Sequence, residues 1–255
     1  MITKKTKEDI EILREGGRRL AEVLEQVRLA VKPGVNTKEL DLLAERLIRD
    51  GGDTPAFLNY KPDGASYAYP ATLCVSVNSE VVHGIPSAKK VLKEGDIVSI
   101  DLGLKHRGLF VDHAVTVPVG KVPKKVSDLL DTTREALFCG IDEARVGNKV
   151  GDISHAIEQF IKPRGYGIIK ELAGHGVGYE VHEDPYVPNF GKKGTGARLE
   201  AGMVLAIEPM VNEGSAAVFV AEDDWTYKTR DGKRSAHFEH TIVITEDGPE
   251  ILTQL

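Results

Sequence analysis

The chain has 255 residues, 41% hydrophobic and 28% charged, which is typical of a globular protein with one large domain or two small ones. Its formal net charge of −6 argues against a nucleic-acid partner. The start of the chain lacks the apolar core of a secretory signal, and no run of about 18 apolar residues follows, so we expect a cytoplasmic protein with no membrane partner. The two cysteines, Cys74 and Cys139, are far apart, which fits a reducing compartment and excludes a zinc-finger type of site.

Hydrophobic periodicity predicts two pairs of helices, each followed by strands. In the first pair, Thr6 can cap an amphipathic helix that Pro33 ends, and a second helix follows up to Gly51. Residues 53–70 form a long loop rich in proline, glycine and tyrosine. The predicted helices are about 6–31, 37–51, 127–145 and 152–162, and the predicted strands are 73–77, 97–104, 109–117, 174–178, 203–210 and 238–244.

Residues 94–117 predict a β-hairpin that carries two acids among apolar side chains. With its tight connection at His106–Arg107, counting outwards places Asp101 directly opposite Asp112 and leaves His106 exposed. Directly opposed side chains have Cβ atoms about 4.5–5.5 Å apart. Two carboxylates at that distance repel each other unless a cation lies between them, which favours a pair of metal ligands. One acid at a strand end and one on a solvated face is the alternative.

The chain also contains an internal repeat. The pattern Leu-x-x-Gly, followed five residues later by isoleucine and an acid, occurs twice and ends at Asp101 and at Glu208. An acid followed by histidine, Asp112 in one copy and Glu239 in the other, likewise precedes an apolar segment twice. We therefore expect one domain with two pseudo-symmetric halves, roughly residues 1–122 and 123–255, that carry acids in equivalent places.

Five side chains at these matched positions and in a glycine-rich segment are candidate metal ligands: Asp101, Asp112, His175, Glu208 and Glu239. Four carboxylates with one imidazole favour hard or borderline divalent ions such as Mn, Fe(II) or Co. Two such ions would neutralise the carboxylates and could bridge one hydroxide. Each residue taken alone has a plainer interpretation, with His175 as a structural residue and Glu208 or Glu239 as a solvated acid.

Several segments resemble the signature segments of type I, bacterial-type methionine aminopeptidases: VVHGIP, SID with a further aspartate after ten residues, GHGVGYEVHEDP, AIEPM and FEHTIVI. The resemblance implies an α+β pita-bread (creatinase/aminopeptidase) fold, with two pseudo-symmetric halves around a central antiparallel sheet. It implies a single catalytic domain that removes the initiator methionine from nascent proteins when the second residue is small. Hydroxide activated by two divalent ions (Co, Mn, Fe(II) or Zn) would carry out this hydrolysis.

The partners implied by the resemblance are nascent polypeptide N-termini, for a protein that we expect to be a cytoplasmic monomer. Transient ribosome association and the metal used in the cell stay open. Carried over by motif, the ligands are Asp101, Asp112, His175, Glu208 and Glu239. Asp112 and Glu239 would bridge both ions, and Asp101 would bind one ion through both of its oxygens. Glu208 would also shuttle the proton of the attacking water.

The resemblance also implies residues that contact the substrate. His83 would contact the substrate amide nitrogen, and His182 would help to polarise the carbonyl oxygen. Tyr69, Cys74 and Trp225 would line the methionine pocket, where a soft apolar surface suits a thioether.

The chain departs from the family pattern at a few positions. Ser66 and Val181 stand where aromatic residues are common, His237 stands where an amide side chain is expected, and the 58–68 loop is longer than usual. The lysines near the start of the chain, Lys5 among them, are interpreted as solvated.

Two other functions remain open. A proline-directed peptidase of the prolidase or aminopeptidase P kind would share the metal site, but those enzymes usually carry a large extra N-terminal domain, for which a first helix at residue 6 leaves no room. A binding module that keeps the fold without metal is the other, and the presence of all five ligands argues against it.

Overall fold

The structure is a computed structural model, and it describes residues 2–255. Its helices are α1 (Lys7–Ala30), α2 (Thr37–Asp50), α3 (Lys124–Asp142) and α4 (Val150–Ile161), with a 3₁₀ turn at Lys162–Arg164. Its strands are β1 (Thr54–Pro55), β2 (Leu73–Val77), β3 (Ile97–His106), β4 (Leu109–Pro118), β5 (Gly167–Ile168), β6 (Ala173–Gly176), β7 (Glu183–Pro188), β8 (Val204–Ile207), β9 (Met210–Asn212), β10 (Val218–Val220), β11 (Tyr227–Thr229), β12 (Ser235–His237), β13 (Glu239–Thr245) and β14 (Gly248–Ile251). None of the helices in residues 2–255 is both long and apolar enough to cross a membrane.

The predicted helices are confirmed to within a few residues at each end. Thr6 begins α1 through a capping box, in which its hydroxyl accepts from the Asp9 N–H at 3.1 Å and the Asp9 carboxylate accepts from the Thr6 N–H at 2.9 Å. Such a cap contributes about 1 kcal/mol to helix stability. One stripe of α1, which includes Leu13, Leu20 and Val27, is buried against β3 and β4.

A curled antiparallel sheet of nine strands forms the centre of the molecule. Its main order is β1-β3-β4-β13-β8-β6-β7, with β2 paired to β3 and β14 paired to β13. Helices α1 and α2 pack on the face of β3 that presents Ile100 and Leu102, whereas α3 and α4 pack with β8 and β13 in a second apolar cluster. Because side chains alternate along a strand, Asp101 points to the face opposite Ile100.

Local geometry recurs in the two halves of the chain. Gly34 and Gly147 both have left-handed backbone angles, φ 91° and 93°, and each donates its N–H to a leucine carbonyl, Leu92 at 2.9 Å and Leu199 at 3.0 Å. Where β4 meets β13, the imidazoles of the paired residues His113 and His240 stack at 4.5 Å. These recurrences favour the division near residue 122, which stays a prediction.

The hairpin of β3 and β4 has a different register from the predicted one. Its turn is Arg107–Gly108, with φ 47° and 96°. Positive φ at both central residues matches the strand twist of a two-residue hairpin. Asp101 consequently pairs with Ala114 and Asp112 pairs with Gly103, so the predicted direct opposition of the two acids is wrong. The shift is by two residues, which keeps both acids on one face as diagonal neighbours about 7–8 Å apart.

The same register places His106 at the end of β3 rather than in the turn. Its side chain is buried, and Nδ1 lies 2.7 Å from Oδ1 of Asp53, so the prediction that His106 is exposed is wrong. Asp53 lies just before β1, an edge strand that pairs with the end of β3, and this pairing closes over the imidazole.

Candidate active site

One cavity of about 190 Å³ is lined by every side chain that the sequence singles out as a ligand, a substrate-contacting histidine or a pocket wall. These are Asp101, Asp112, His175, Glu208 and Glu239, with His83, His182, Tyr69, Cys74 and Trp225. Three further lining residues, Phe57, Tyr60 and Pro62, were not identified from the sequence. Their only signal is their position within the tyrosine-rich loop of residues 53–70.

The five candidate ligands come from five consecutive strands of the sheet. In the order β3, β4, β13, β8 and β6, the contributions are Asp101, Asp112, Glu239, Glu208 (directly after β8) and His175. Adjacent strands lie about 4.7–4.9 Å apart. Strand pairing alone therefore brings together side chains that are distant in the sequence.

The side-chain ends of this cluster lie close to one another. Asp112, His175 and Glu239 each present a ligand atom, and these three atoms lie within 4.8 Å of one another. Oε1 of Glu208 lies 3.6 Å from Nε2 of His175. Asp101 lies outside the group of three, but it is near enough for the Asp112 carboxylate to raise its pKa.

The four carboxyl groups of the cluster are electrostatically unsatisfied. Burial raises the pKa of Asp101, Asp112, Glu208 and Glu239 above the ordinary values, and neighbouring carboxylates raise the pKa of Asp101, Asp112 and Glu239 further. Within residues 2–255, Oδ1 of Asp101 and Oε1 of Glu239 are buried without a hydrogen-bond partner. Buried anionic oxygens with no donor are the surroundings in which a divalent cation fits.

His175 has the protonation state of a metal ligand. Its Nδ1 lies 2.9 Å from the Gly176 carbonyl oxygen, so Nδ1–H donates there and Nε2 keeps a free lone pair towards Glu208. Burial lowers the pKa of His175 to about 3, so the imidazole is neutral. Neutral imidazole is the form that binds metal ions.

Two polar side chains outside the cluster hold the backbone of the ligands. The Thr241 hydroxyl accepts from the Asp112 N–H at 2.9 Å and donates to the Asp112 carbonyl at 2.8 Å. The Asn189 amide donates to the Glu208 carbonyl at 3.0 Å. These bonds fix where β4 and the end of β8 present their acids.

His83 lies on a left-handed backbone, with φ 58°, which is uncommon for a residue other than glycine and often marks a functional position. Its ring lies edge-on to Trp225 and Tyr227, with centroid distances of 6.3 and 5.9 Å. Burial lowers the pKa of His83 to about 4, so the ring is neutral. The neutral His83 ring, which lines the cavity, therefore has one N–H donor and one acceptor nitrogen.

His182 lines the same cavity beside the candidate ligand His175. Its ring centroid is 4.4 Å from that of His175 in a T-shaped arrangement. Its Nδ1 is 2.8 Å from the hydroxyl of Tyr60. The predicted positioning histidine thus contacts both a candidate ligand and a residue that the sequence did not identify.

The pocket side of the cavity is apolar and closely packed. Tyr69 and Trp225 meet edge to face at 5.2 Å, and the Tyr69 hydroxyl donates to the Gly84 carbonyl at 3.0 Å. Cys74 pairs with Asp101 across β2 and β3, and burial raises the pKa of its thiol, which stays neutral. Val181, where an aromatic residue is common, is buried in the same apolar cluster.

The 58–68 loop docks against the turn between β10 and β11. The Ser66 hydroxyl donates to Oδ2 of Asp224 at 2.9 Å, and the Tyr67 hydroxyl donates to the Asp223 carbonyl at 2.5 Å. His237, at the position where an amide side chain was expected, is buried with Nε2 3.2 Å from Oε2 of Glu208.

The segment that carries His182 is anchored by a buried ion pair. Lys5 Nζ lies 2.6 Å from Oε2 of Glu183, with the two side chains only 1% and 6% exposed. The Lys5 ammonium also lies over the Tyr179 ring, 4.7 Å from its centroid. The interpretation of Lys5 as solvated is therefore wrong, because its partner is distant in the sequence and leaves no local signal.

Comparisons with known proteins agree with this geometry. The model of metallopeptidase family M24 matches residues 11–246. Methionine aminopeptidase 1 of Bacillus subtilis (strain 168) is 47% identical over 255 residues, with 100% of both chains covered. The crystal structure of methionine aminopeptidase from Thermotoga maritima has a TM-score of 0.95 at 46% identity, again with 100% of both chains covered.

A more distant structure shares the fold alone. The Xaa-Pro dipeptidase from Bacillus anthracis has a TM-score of 0.77 at 24% identity, covering 99% of this chain and 62% of that chain. The predicted pita-bread fold is confirmed by these likenesses. The proline-directed alternative gains no support, because likeness at this identity extends only to the fold.

Proposed function

Since the chain belongs to metallopeptidase family M24 and is a methionine aminopeptidase by full-length similarity, we propose that it removes the initiator methionine from nascent polypeptides whose second residue is small. It is a hydrolase and a metallo-exopeptidase. One observation supports the finer proposal most directly: a cluster of carboxylates and an imidazole opens into an apolar slot within one cavity. The cluster suits amide hydrolysis, and the slot suits an unbranched thioether side chain.

The donor set fits divalent cations, because the buried carboxylate oxygens of Asp101 and Glu239 lack donors and Nε2 of His175 keeps its lone pair. We propose that two ions would be held by Asp101, Asp112, His175, Glu208 and Glu239. An oxygen-rich set favours Mn, Fe(II) or Co, with Zn also compatible. When bound, such ions supply positive charge that polarises a scissile carbonyl and lowers the pKa of water.

Glu208 is the proposed proton carrier. Its carboxylate lies at the edge of the cluster and lines the cavity, with its side chain 12% exposed. From there it can take a proton from the attacking water and return it to the leaving amine, as a general base and then a general acid.

The two cavity histidines are proposed to hold the scissile amide from opposite sides. The lone pair of neutral His83 can accept from the N–H of the substrate amide. His182 can donate an N–H to the carbonyl oxygen as negative charge develops there. Loss of one such donor typically costs about 10²–10³ in turnover.

We further propose that the substrate side chain fills the slot of Tyr69, Cys74 and Trp225. The second residue would then lie beside His83 and the cluster, where a bulky side chain would displace the carbonyl. Misplacement by about 1 Å can cost about 10²-fold in rate. Nascent N-termini as substrates, a monomeric state and a cytoplasmic location belong to the same proposal.

A peptide panel tests this function. Met-Ala-Ser should be cleaved by the metal-loaded protein, with Leu-Ala-Ser and acetyl-Met-Ala-Ser resistant and chelator abolishing turnover. Met-Xaa peptides with Xaa of increasing size should be cleaved progressively less well. A maximum at Xaa = Pro without preference for methionine would support the proline-directed alternative, and full activity after metal removal would overturn the proposal.

A further inference from the structure

Tyr60 makes a polar contact with the histidine that faces the scissile bond. Its hydroxyl oxygen lies 2.8 Å from Nδ1 of His182, with the two ring centroids 5.2 Å apart and the planes tilted by 54°. Both residues line the cavity that holds the carboxylate cluster.

The backbone around Tyr60 is held independently of the long loop that follows it. The Tyr60 N–H donates to the Phe57 carbonyl at 2.9 Å, and the Tyr69 N–H donates to the Tyr60 carbonyl at 2.8 Å. The Asn59 N–H donates back to the Tyr69 carbonyl at 2.9 Å. The loop of residues 61–68 therefore begins and ends at the hydrogen-bonded residues Tyr60 and Tyr69, and the Tyr60 phenol lies at the base of this loop.

The backbone of His182 is held from the other side. The next residue, Glu183, accepts from the Lys5 ammonium at 2.6 Å and from the Tyr179 N–H at 2.5 Å. With the chain anchored at both Tyr60 and Glu183, the main freedom left to His182 is the orientation of its ring and the nitrogen that carries the proton.

The chemistry of the pair selects one tautomer. The contact joins a phenol, which can donate or accept, to an imidazole nitrogen that accepts when the ring proton is at Nε2 and donates when it is at Nδ1. Within residues 2–255 the phenol oxygen has no other hydrogen-bond partner. A phenol O–H is a strong donor and an imidazole lone pair is a good acceptor, so we take Tyr60 O–H as the donor and Nδ1 of His182 as the acceptor.

A neutral imidazole with an acceptor at Nδ1 carries its proton at Nε2. That N–H donor is what a carbonyl oxygen requires as it gains negative charge, whereas a lone pair at Nε2 would repel it. We propose that Tyr60 is a positioning residue for His182, which fixes both the orientation of the ring and the Nε2–H tautomer. This inference rests on the proposed function, because it assumes that His182 donates to the scissile carbonyl.

Tyr60→Phe tests the inference because it removes one oxygen and keeps the ring. We expect kcat to fall about 10–100-fold, less than for loss of the donor itself, with KM and metal content within about twofold of wild type. Tyr166→Phe is the matched control, since this half-buried tyrosine lies outside the cavity lining, and it should leave both constants unchanged.

A spectroscopic readout separates positioning from a general structural effect. In metal-free protein labelled with ¹⁵N-histidine, long-range ¹H–¹⁵N correlations identify which ring nitrogen carries the proton. His182→Ala assigns the signal by its loss. We expect His182 to be the Nε2–H form in wild type, and to shift towards the Nδ1–H form or a mixture in Tyr60→Phe, with no shift in Tyr166→Phe.

The variants distinguish the two levels of the proposal. If His182→Ala keeps wild-type turnover, the proposed role of His182 fails, and the role of Tyr60 fails with it. If His182→Ala loses turnover but Tyr60→Phe does not, only the positioning role is overturned. An Nδ1–H tautomer in the wild-type protein would also overturn it, whatever the kinetics.

Discussion

The ion pair between Lys5 and Glu183 should be a large contributor to stability. In Lys5→Met, the methionine keeps an unbranched chain of similar length but removes the charge, which leaves a buried carboxylate without its cation. Loss of one partner of a buried pair typically costs about 3–5 kcal/mol.

The other hydrogen bonds to Glu183 place the expected loss of stability at the lower end of this range. Glu183 keeps three other donors in Lys5→Met, namely the Thr3 hydroxyl and the Tyr179 and Glu180 N–H groups. We therefore expect a loss of about 3 kcal/mol for Lys5→Met. In Glu183→Gln the Lys5 ammonium, 1% exposed, loses its only carboxylate partner within the described residues, and we expect about 4–5 kcal/mol.

Reversible denaturant unfolding of wild type, Lys5→Met, Glu183→Gln and the double variant measures these free energies. In thermal unfolding, at about 2–4 °C per kcal/mol, Lys5→Met should lower Tm by about 6–12 °C. The double variant Lys5→Met/Glu183→Gln should lose much less than the sum, because neither charge is then left alone.

Lys4→Met is the matched control. Lys4 is the adjacent lysine and pairs with Glu200, but those side chains are 55% and 45% exposed, so the expected loss is below about 1 kcal/mol. A loss in Lys5→Met no larger than in Lys4→Met, or additive losses in the double variant, would refute the reasoning.

Three further predictions concern the site. Asp101→Ala should yield a folded protein with reduced metal content and little activity, and wild-type values for both in metal analysis and peptide cleavage would contradict its assignment as a ligand. Norleucine at the first position should be cleaved less well than methionine by about 1–3 kcal/mol in kcat/KM, so a greater loss would argue against an apolar slot. Burial raises the pKa of Asp112 to about 7 and that of Glu208 to about 8, so the metal-free fold keeps these protons after the unfolded chain has lost them, and its stability declines as pH rises from about 4 to 7–8. The buried histidines, whose pKa values are lowered, oppose this trend only up to about pH 6.5, where the unfolded chain still binds their protons. The Tm of metal-free protein should fall from pH 6.5 to pH 9 and Mn²⁺ should raise Tm more at pH 8.5 than at pH 6.5, and an equal gain at both values would count against the buried carboxylate cluster.

The sequence predicted the features that depend on local patterns and motifs. Amphipathic stripes located α1 and α2, and the repeat indicated which acids belong together. The predicted hairpin register was wrong because Arg107–Gly108 and His106–Arg107 are both short polar connections, and the signal that distinguishes them, a glycine suited to the left-handed geometry of the turn, was not used.

Contacts between distant segments were beyond prediction from local patterns. Lys5 pairs with Glu183, and Tyr60 reaches His182, across separations in sequence that no periodicity records. The buried position of His237 beside Glu208 belongs to the same class. Each of these contacts supports the cavity from outside the motifs, which is why motif reasoning identified the cluster and missed what holds it.

The seam between β4 and β13 has a consequence for where the sheet unfolds locally. The backbone ladder between these strands has only two residue pairs, Glu239 with Ala114 and His240 with His113, although the seam lies at the middle of the sheet, and the Thr241 side chain bonds the Asp112 backbone where the ladder ends. A short ladder is a weak point for local unfolding. Asp112 and Glu239 stand on either side of it, so a cation held by both would add a further link between the two strands. Amide hydrogen exchange along this seam should therefore slow on metal binding far more than exchange in α1, and the seam would report occupancy without any substrate.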